Sequence, residues 1–337
     1  MNRMTDLFHA IGGAATCRRL SLCFYARVQR DPVLRPLFPG KKLTCAIEEF
    51  SAFLVQFLGG PAEDSQRRWW LSLHESHRRF DIHGEHRTAW LRLMNEALAE
   101  ARIPEPHSSA LRDFFERSSA YLIESAPPAG HMQPELARCW SAQLSLDEAV
   151  AAVRGGDAAR AIELAGTCQR GVLVGLYALM IQSGIPALLE YVHRELVSDT
   201  TLIRESYGGR TLLHIAAGSG RVETVKLLLR LGAHPDELDG GKHTPLYSVS
   251  NECAGPAGPA VVRVLVRAGA NVNANSGVTR CTPLHMAARR GNAVVAQALL
   301  ECGAEANARD SRGQTPLQRA LNCRKVEVAA LLRSIEP

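Results

Sequence analysis

Four threonines, Thr211, Thr244, Thr282 and Thr315, open the same short pattern at spacings of 33, 38 and 33 residues. The segments are "RTLLHIAAGSGRVETVKLLLRLGAHPD" from Arg210, "HTPLYSVSNECAGPAGPAVVRVLVRAGANVN" from His243, "CTPLHMAARRGNAVVAQALLECGAEAN" from Cys281 and "QTPLQRALNCRKVEVAALLRSIEP" from Gln314. This period constrains the fold strongly, because a unit so short cannot bury its apolar face alone and must stack on a like neighbour. Threonine suits a helix start, and proline is tolerated in the first turn that follows. A short helix, a turn and a second helix such as "VETVKLLLRL" come next. Gly232, Gly269 and Gly303 then stand where the chain can take φ > 0 to close the unit. The second copy has five extra residues, assigned to "AGPAGP" at 254–259, which predicts a longer turn between its helices. The last copy ends soon after its second helix, as a terminal cap would.

These segments resemble the ankyrin repeat, with its period of about 33 and its T-P-L-H-x-A core. The resemblance implies a helical solenoid of four repeats over residues 208–337 that docks a protein partner. His214 and His285 match the histidine of the core, where a local hydrogen-bonding role is expected. Residues 140–207, with "SLDEAVAAVRGGDAARAIELAG" and "GLYALMIQSGIPALLEYVHREL", read as two degenerate helix pairs capping the array. The turn segments "ELDGGKH" and "ARDSRGQ" mix both signs of charge, and Lys242, His243, Arg280 and Arg312 near them are candidate partner contacts.

The net charge of +5 is mild and forms no basic stripe, so neither nucleic acid nor membrane is an expected partner. The longest apolar stretch, "GVLVGLYALMI" at 171–181, falls short of the ~20 residues that span a bilayer. The start has no apolar run of the secretory kind. The nine cysteines are scattered, with no C-x-x-C, which points to reduced thiols and a cytoplasmic protein. Cys17, Cys23 and Cys45 are expected to be buried apolar fillers.

The sharpest break is "SAPPAGHMQPE" at 125–135, through which no helix can run, and a linker is assigned to 125–139. Residues 1–124 read as all helix, with apolar residues at Leu43, Ile47, Phe50, Phe53, Leu54 and Phe57 and turns at "DP" (31–32) and "GGP" (59–61). Four of the twelve histidines crowd into "LHESHRRFDIHGEHRTAW" at 73–90, as the pairs His74/His77 and His83/His86. A zinc site needs four converging ligands, and "RFDIHG" separates the pairs. His83 and His86 fall near a helix start around "HGEHR".

The stretch "LFHAIGG…CFYARVQRDPVLRPLFP…FLVQFLGGP…HRRFDI…AWLRLMNEAL", about residues 5–124, resembles a truncated haemoglobin of the group II type. The resemblance implies a two-over-two helical sandwich holding haem b, so the whole chain is expected to be all-α: a truncated globin followed by an ankyrin solenoid. The family's proximal histidine precedes a Phe-x-Ile piece, which makes His77, ahead of Phe80 and Ile82, the fifth ligand of the iron. Dioxygen, nitric oxide or carbon monoxide would take the sixth position. By the same match Tyr25 is the distal tyrosine, Phe38 the ring clamped on the haem face and Trp90 the distal tryptophan, with Ala46 and Phe50 on the distal helix. A phenol O–H and an indole N–H are donors suited to a ligand that gains negative charge at iron. The chain departs from the family before the proximal histidine, where "RRWWLSLHESH" replaces a Gly-His-Pro stretch and an arginine. His74 and Arg78 are the candidate substitutes for the propionate contact, and Trp69 and Trp70 read as packing. Phe50 is bulkier than the Leu or Gln common at its place.

The chain shows no dinucleotide loop, P-loop, G-x-S-x-G or H-E-x-x-H, and no catalytic residue is assigned. Gas binding, sensing or delivery is the leading expectation. Its rivals are nitric oxide dioxygenation or peroxidase-like turnover fed by an external reductant, and a haem-free globin scaffold.

Overall fold

The computed structural model describes residues 6–39, 43–61, 71–78, 80–124, 133–275 and 277–335. Among the described residues the chain is helical apart from one short antiparallel pair, Ser206–Tyr207 with Arg210–Thr211, and it divides into two compact units, residues 1–155 with 159–173, and residues 156–158 with 174–337.

The first unit contains α1 (Asp6–Ala10), α2 (Gly13–Val28), α3 (Thr44–Phe57), α4 (Leu73–His77), α5 (Gly84–Glu100), α6 (His107–Glu124), α7 (Pro134–Gly155) and α8 (Ala158–Ala165). α2 packs on α3 and on α5, and α5 packs on α6, which are the four helices of the expected sandwich. Thr16, Cys17, Leu20, Ser21, Phe24 and Val28 are the buried face of α2, at the three- and four-residue steps of one helical stripe. The two glycines of "FLGGP" serve different needs. Gly59 takes φ 82°, whereas a Cβ on Gly60 would stand 2.7 Å from the Phe8 ring and from Val55. At the "DP" turn the buried Asp31 carboxylate accepts from the main-chain N–H groups of Val33 and Leu34 and from the Arg92 guanidinium. Burial raises the Asp31 pKa, but these donors outweigh it and hold the carboxyl below its ordinary range. Of the three cysteines expected as fillers, Cys17 is buried, Cys23 is half-buried and Cys45 is exposed, because it starts α3 on the face turned from the core.

The assigned linker does not extend to residue 139. Helix begins at Pro134 and runs unbroken to Gly155, and its Leu136 and Trp140 belong to the globin core. The helix pair expected at the start of the array cap, α7 and α8, therefore lies in the first unit. Residues 125–132 fall outside the described residues, as do Trp69 and Trp70.

The second unit takes in most of α9 (Arg170–Ser183), then α10 (Pro186–Ser198), α11 (Leu212–Gly218), α12 (Val222–Arg230), α13 (Pro245–Glu252), α14 (Gly258–Arg267), α15 (Pro283–Arg290), α16 (Ala293–Glu301), α17 (Pro316–Asn322) and α18 (Val326–Arg333). The first helices stack in the order α11, α13, α15, α17 and the second in the order α10, α12, α14, α16, α18. Thr244, Thr282 and Thr315 cap their helices by accepting from the N–H three residues on, with proline next in line. Gly232, Gly269 and Gly303 have φ of 95°, 97° and 90°. His214 and His285 are fully buried struts. Each Nε2–H donates to a carbonyl of the next repeat, His243 at 3.0 Å and Gln314 at 2.9 Å, while Nδ1 lies 2.8 Å from the Thr211 or Thr282 hydroxyl. Burial pushes both pKa values down, which keeps the rings neutral.

The second copy's five extra residues are split. Its helix starts, Pro245 and Gly258, are 13 residues apart, against 10 in each of the other three copies, so only three extra residues enlarge the inter-helix turn. Of the other two, one lengthens α14, with 10 residues against 9 in α12 and α16, and one lengthens the stretch between α14 and α15.

The repeat tips hold a conformational contrast. The residue two before each threonine is left-handed: Gly209 (φ 74°), Lys242 (φ 60°), Arg280 (φ 49°) and Gly313 (φ 71°). A side chain in that region costs roughly 1–2 kcal/mol, part of which a glycine returns through its looser unfolded state. Lys242→Gly and Arg280→Gly are each expected to raise the stability of the array by about 0.5–1 kcal/mol. Urea unfolding followed by circular dichroism reads this; a loss of stability in both variants contradicts it.

Candidate functional site

The family-matched residues come from five places in the first unit. Tyr25 lies on the last turn of α2, Phe38 follows the 3₁₀ turn Arg35–Leu37, and Ala46 and Phe50 lie one turn apart on α3. His77 ends α4, and Trp90 is on α5. The Arg35 guanidinium donates to the Phe38 carbonyl, which fixes the backbone that carries the Phe38 ring.

A run of ring contacts joins most of these side chains. His77 is 6.4 Å from Phe80 between ring centroids, Phe80 is 5.5 Å from Phe38, Phe38 is 5.6 Å from Tyr25, and Tyr25 is 6.3 Å from Phe50. Phe50 lies against Phe24 and Phe115, at 6.0 and 6.3 Å, and Trp90 touches the same two rings at 5.4 and 5.5 Å. Phe24 and Phe115 are fully buried and were not singled out from the sequence. They back the matched residues like any core ring, and nothing in their spacing sets them apart.

His77 is held in one tautomer. Its Nδ1 lies 2.8 Å from the Leu73 carbonyl and 2.8 Å from the Ser76 hydroxyl, and that hydroxyl itself donates to the Leu73 carbonyl at 2.8 Å. A carbonyl can only accept, so Nδ1 carries the proton, and in the neutral ring this leaves the lone pair on Nε2, the state a metal ligand needs. α4 is short, and two residues cap its start. The Ser72 hydroxyl accepts from Glu75 N–H at 3.2 Å, and the Asp147 carboxylate of α7 accepts from Leu73 N–H at 3.0 Å.

The other two candidates lie apart from this run. His74 packs against Tyr121 of α6, with ring centroids 4.5 Å apart and the planes tilted by 60°, and Arg78 is exposed. Both histidines lie within α4, yet His74 packs on Tyr121 whereas His77 lies beside Phe80. Burial first, and then the Asp147 charge, push the Tyr121 phenol up to about 12. His83 and His86 stand at the start of α5, where the His83 N–H donates to His86 Nδ1 at 3.0 Å and His83 pairs with Asp81. Among the described residues, no three of His, Cys, Asp and Glu gather as a metal-binding group, and no helix is long and apolar enough to cross a membrane.

The residues present fit a haem. Phe24, Phe57, Phe114 and Phe115 are buried, yet Tyr25, Phe38, Phe50, Phe53 and Trp90 remain half-buried although they pack on the same core, and Phe80, beside Phe38, is half-buried too. Fully burying a ring of this size is worth about 1.5–3 kcal/mol. A wall of rings that stops short of burial, beside a histidine with its lone pair on Nε2, suits a flat apolar group carrying a metal.

Comparison with known proteins separates the two halves. The family of bacterial-like globins matches residues 6–122, and the family of ankyrin repeats matches residues 175–275 and 251–337, so the α9–α10 pair is included in the second. The chain is similar to group 2 truncated hemoglobin 3-1 of Lotus japonicus, 35% identical over 122 residues, which are 35% of this chain and 71% of that protein. Its repeats are similar to ankyrin repeat and SOCS box protein 16 of Homo sapiens, 34% identical over 144 residues (41% of this chain, 31% of that protein). They are also similar to the B-cell lymphoma 3 protein homolog of Mus musculus, 32% identical over 125 residues (36% and 27%). The chain thus spans a third or less of the length of these ankyrin-bearing relatives.

Proposed function

The chain belongs to the truncated haemoglobin family and carries ankyrin repeats after its globin domain, and from that premise we propose that it binds haem b through His77 and a diatomic gas at the iron, while the array docks a protein. The observation that carries the haem half is the His77 tautomer set against the half-buried wall of rings. Haem, when bound, supplies an iron with one position open to dioxygen, nitric oxide or carbon monoxide.

The rest is work for the chain's own residues. His77 offers Nε2 because the Leu73 carbonyl holds the proton on Nδ1. Phe38, Phe50 and Phe80 line the site with apolar surface and keep water out. The Tyr25 hydroxyl and the Trp90 indole N–H are the donors for the gas, and Ala46 leaves room beside Phe50. His74, tilted against Tyr121, and exposed Arg78 are the candidates for a propionate contact.

The protein-docking half draws on the repeat tips. Lys242 and Arg280 are exposed and hold a backbone conformation that glycine holds in the other two copies. Strain kept at an exposed position is a reason to propose a function there. These two, with His243 and Arg312, are the proposed contacts. Lys242→Gly should therefore stabilise the array while weakening capture of its partner.

Titration of the purified chain with hemin tests the haem half. One equivalent per chain with a sharp Soret band is expected. A chain that takes up no hemin would be a globin scaffold, and the proposal would fail.

A further inference from the structure

α7 meets the globin in two distinct ways. Its first turns bury Leu136 and Trp140 in the common core. Its later turns reach the helix that bears His77. Asp147 is 6% exposed, and its Oδ1 accepts from Leu73 N–H at 3.0 Å and from the Gln143 amide at 2.7 Å. The same Gln143 amide donates to the Leu71 carbonyl at 2.9 Å, and the Tyr121 hydroxyl lies 3.5 Å from Asp147 Oδ2. Two turns on, Arg154 pairs with Glu75 at 2.9 Å.

Leu73 is thus held at both ends. Its N–H goes to Asp147, and its carbonyl takes the Nδ1 proton of His77. α4 has only five residues, far below the length at which a helix holds itself together. Its first N–H groups have no partner within the helix, and a carboxylate beside them both accepts a hydrogen bond and favours the positive end of the helix. Removing that carboxylate leaves the first N–H of α4 without a partner and loosens the turn that carries the Leu73 carbonyl. The orientation of the His77 ring then rests on the Ser72 cap and on the Ser76 hydroxyl alone.

We propose that Asp147 is a positioning residue for the iron-ligating histidine: through Leu73 it sets the orientation of the His77 ring. This rests on His77 being the haem ligand. Its consequence is that the helix by which the chain leaves the globin for the repeats is also the one that fixes the proximal side of the site. A group that positions a ligand in this way is expected to change how tightly the ligand bonds as well as whether the fold survives.

The test uses the full chain as wild type, Asp147→Leu, Asp147→Ser and Asp147→Asn. Hydrogen exchange of residues 71–78 in the haem-free protein reads the hold on α4. After hemin loading, the iron–histidine stretching band and the rate of hemin transfer to an acceptor protein read its effect on the ligand. Asp147→Leu should speed exchange in 71–78 by about tenfold or more, leave α2 and α5 unchanged, shift or broaden the band and speed hemin loss by about tenfold. Asp147→Asn keeps an oxygen for Leu73 N–H and should stay near wild type. If Asp147→Leu does not fold, Asp147→Ser, too short to reach Leu73, is read the same way. Unchanged exchange and an unchanged band in a folded Leu or Ser variant would overturn the proposal, as would an Asn variant that behaves like Leu. If the wild type takes up no hemin, the haem assignment fails, and the role given to Asp147 falls with it. In that event the exchange data still decide whether Asp147 holds α4.

Discussion

A globin fragment ending at residue 124 is expected to be unfolded, or nearly so, under conditions where a fragment ending at residue 169 is folded. The difference is α7. Leu136 is fully buried, and Trp140 lies edge-on to Phe114 and Tyr121, with centroids 5.7 and 5.3 Å away. Without them the stacked pair Phe57 and Phe114, 4.4 Å apart, loses its cover. Truncating a buried Leu costs about 2–5 kcal/mol and a buried Trp about 3–5, against a total of roughly 5–15 for a domain. The shorter fragment also leaves Leu73 N–H and the Leu71 carbonyl without Asp147 and Gln143. Urea unfolding of the two fragments, followed by circular dichroism, measures this. Equal midpoints would mean that α7 is a passenger. By the same logic, a chain nicked between residues 125 and 132 should elute as one particle until denatured, because α7 keeps its seat on the globin.

Tyr25→Phe is expected to speed release of bound dioxygen by at least about tenfold. The substitution removes one hydroxyl and leaves the ring, which touches Phe24, Phe38 and Phe50. A hydrogen bond to a charged acceptor is worth about 1.5–3 kcal/mol, and every 1.4 is a factor of ten. Trp90→Phe should act in the same direction, with some loss of packing on Phe24 and Phe115. Stopped-flow release from the reduced, loaded protein gives the rate. The same rate in both variants as in wild type would remove Tyr25 and Trp90 as donors.

What could be read from the sequence follows the range of the interactions. The repeats were legible because the opening threonine recurs in all four copies, and the proline after it and the closing glycine in three copies each, all local signals repeated in phase. Tyr25, Phe38, Phe50, His77 and Trp90 were legible together only through the globin resemblance, and the ring contacts support that grouping. The place of α7 was not legible. Its apolar periodicity announces a helix with a buried face and is silent on which surface covers it. "SLDEAV" reads as a helix start, since Ser145 and Asp147 are good caps. The helix instead passes through both, because Asp147 caps a different helix, 74 residues earlier. No local pattern encodes such a pairing. The extra residues of the second repeat were visible, but not how the chain shares them between two turns and a helix.

The most direct measurement is the absorption spectrum of the hemin-loaded, reduced chain beside that of His77→Gly, with and without added imidazole. Small ligands can occupy the space vacated by the ring and restore the missing nitrogen. The wild type should show one strong Soret band typical of a five-coordinate histidine-bound iron. His77→Gly should lose or weaken it, and imidazole should bring it back. A His77→Gly spectrum identical to the wild type without imidazole, or a wild type with no Soret band at all, would contradict the assignment of His77 as the haem ligand.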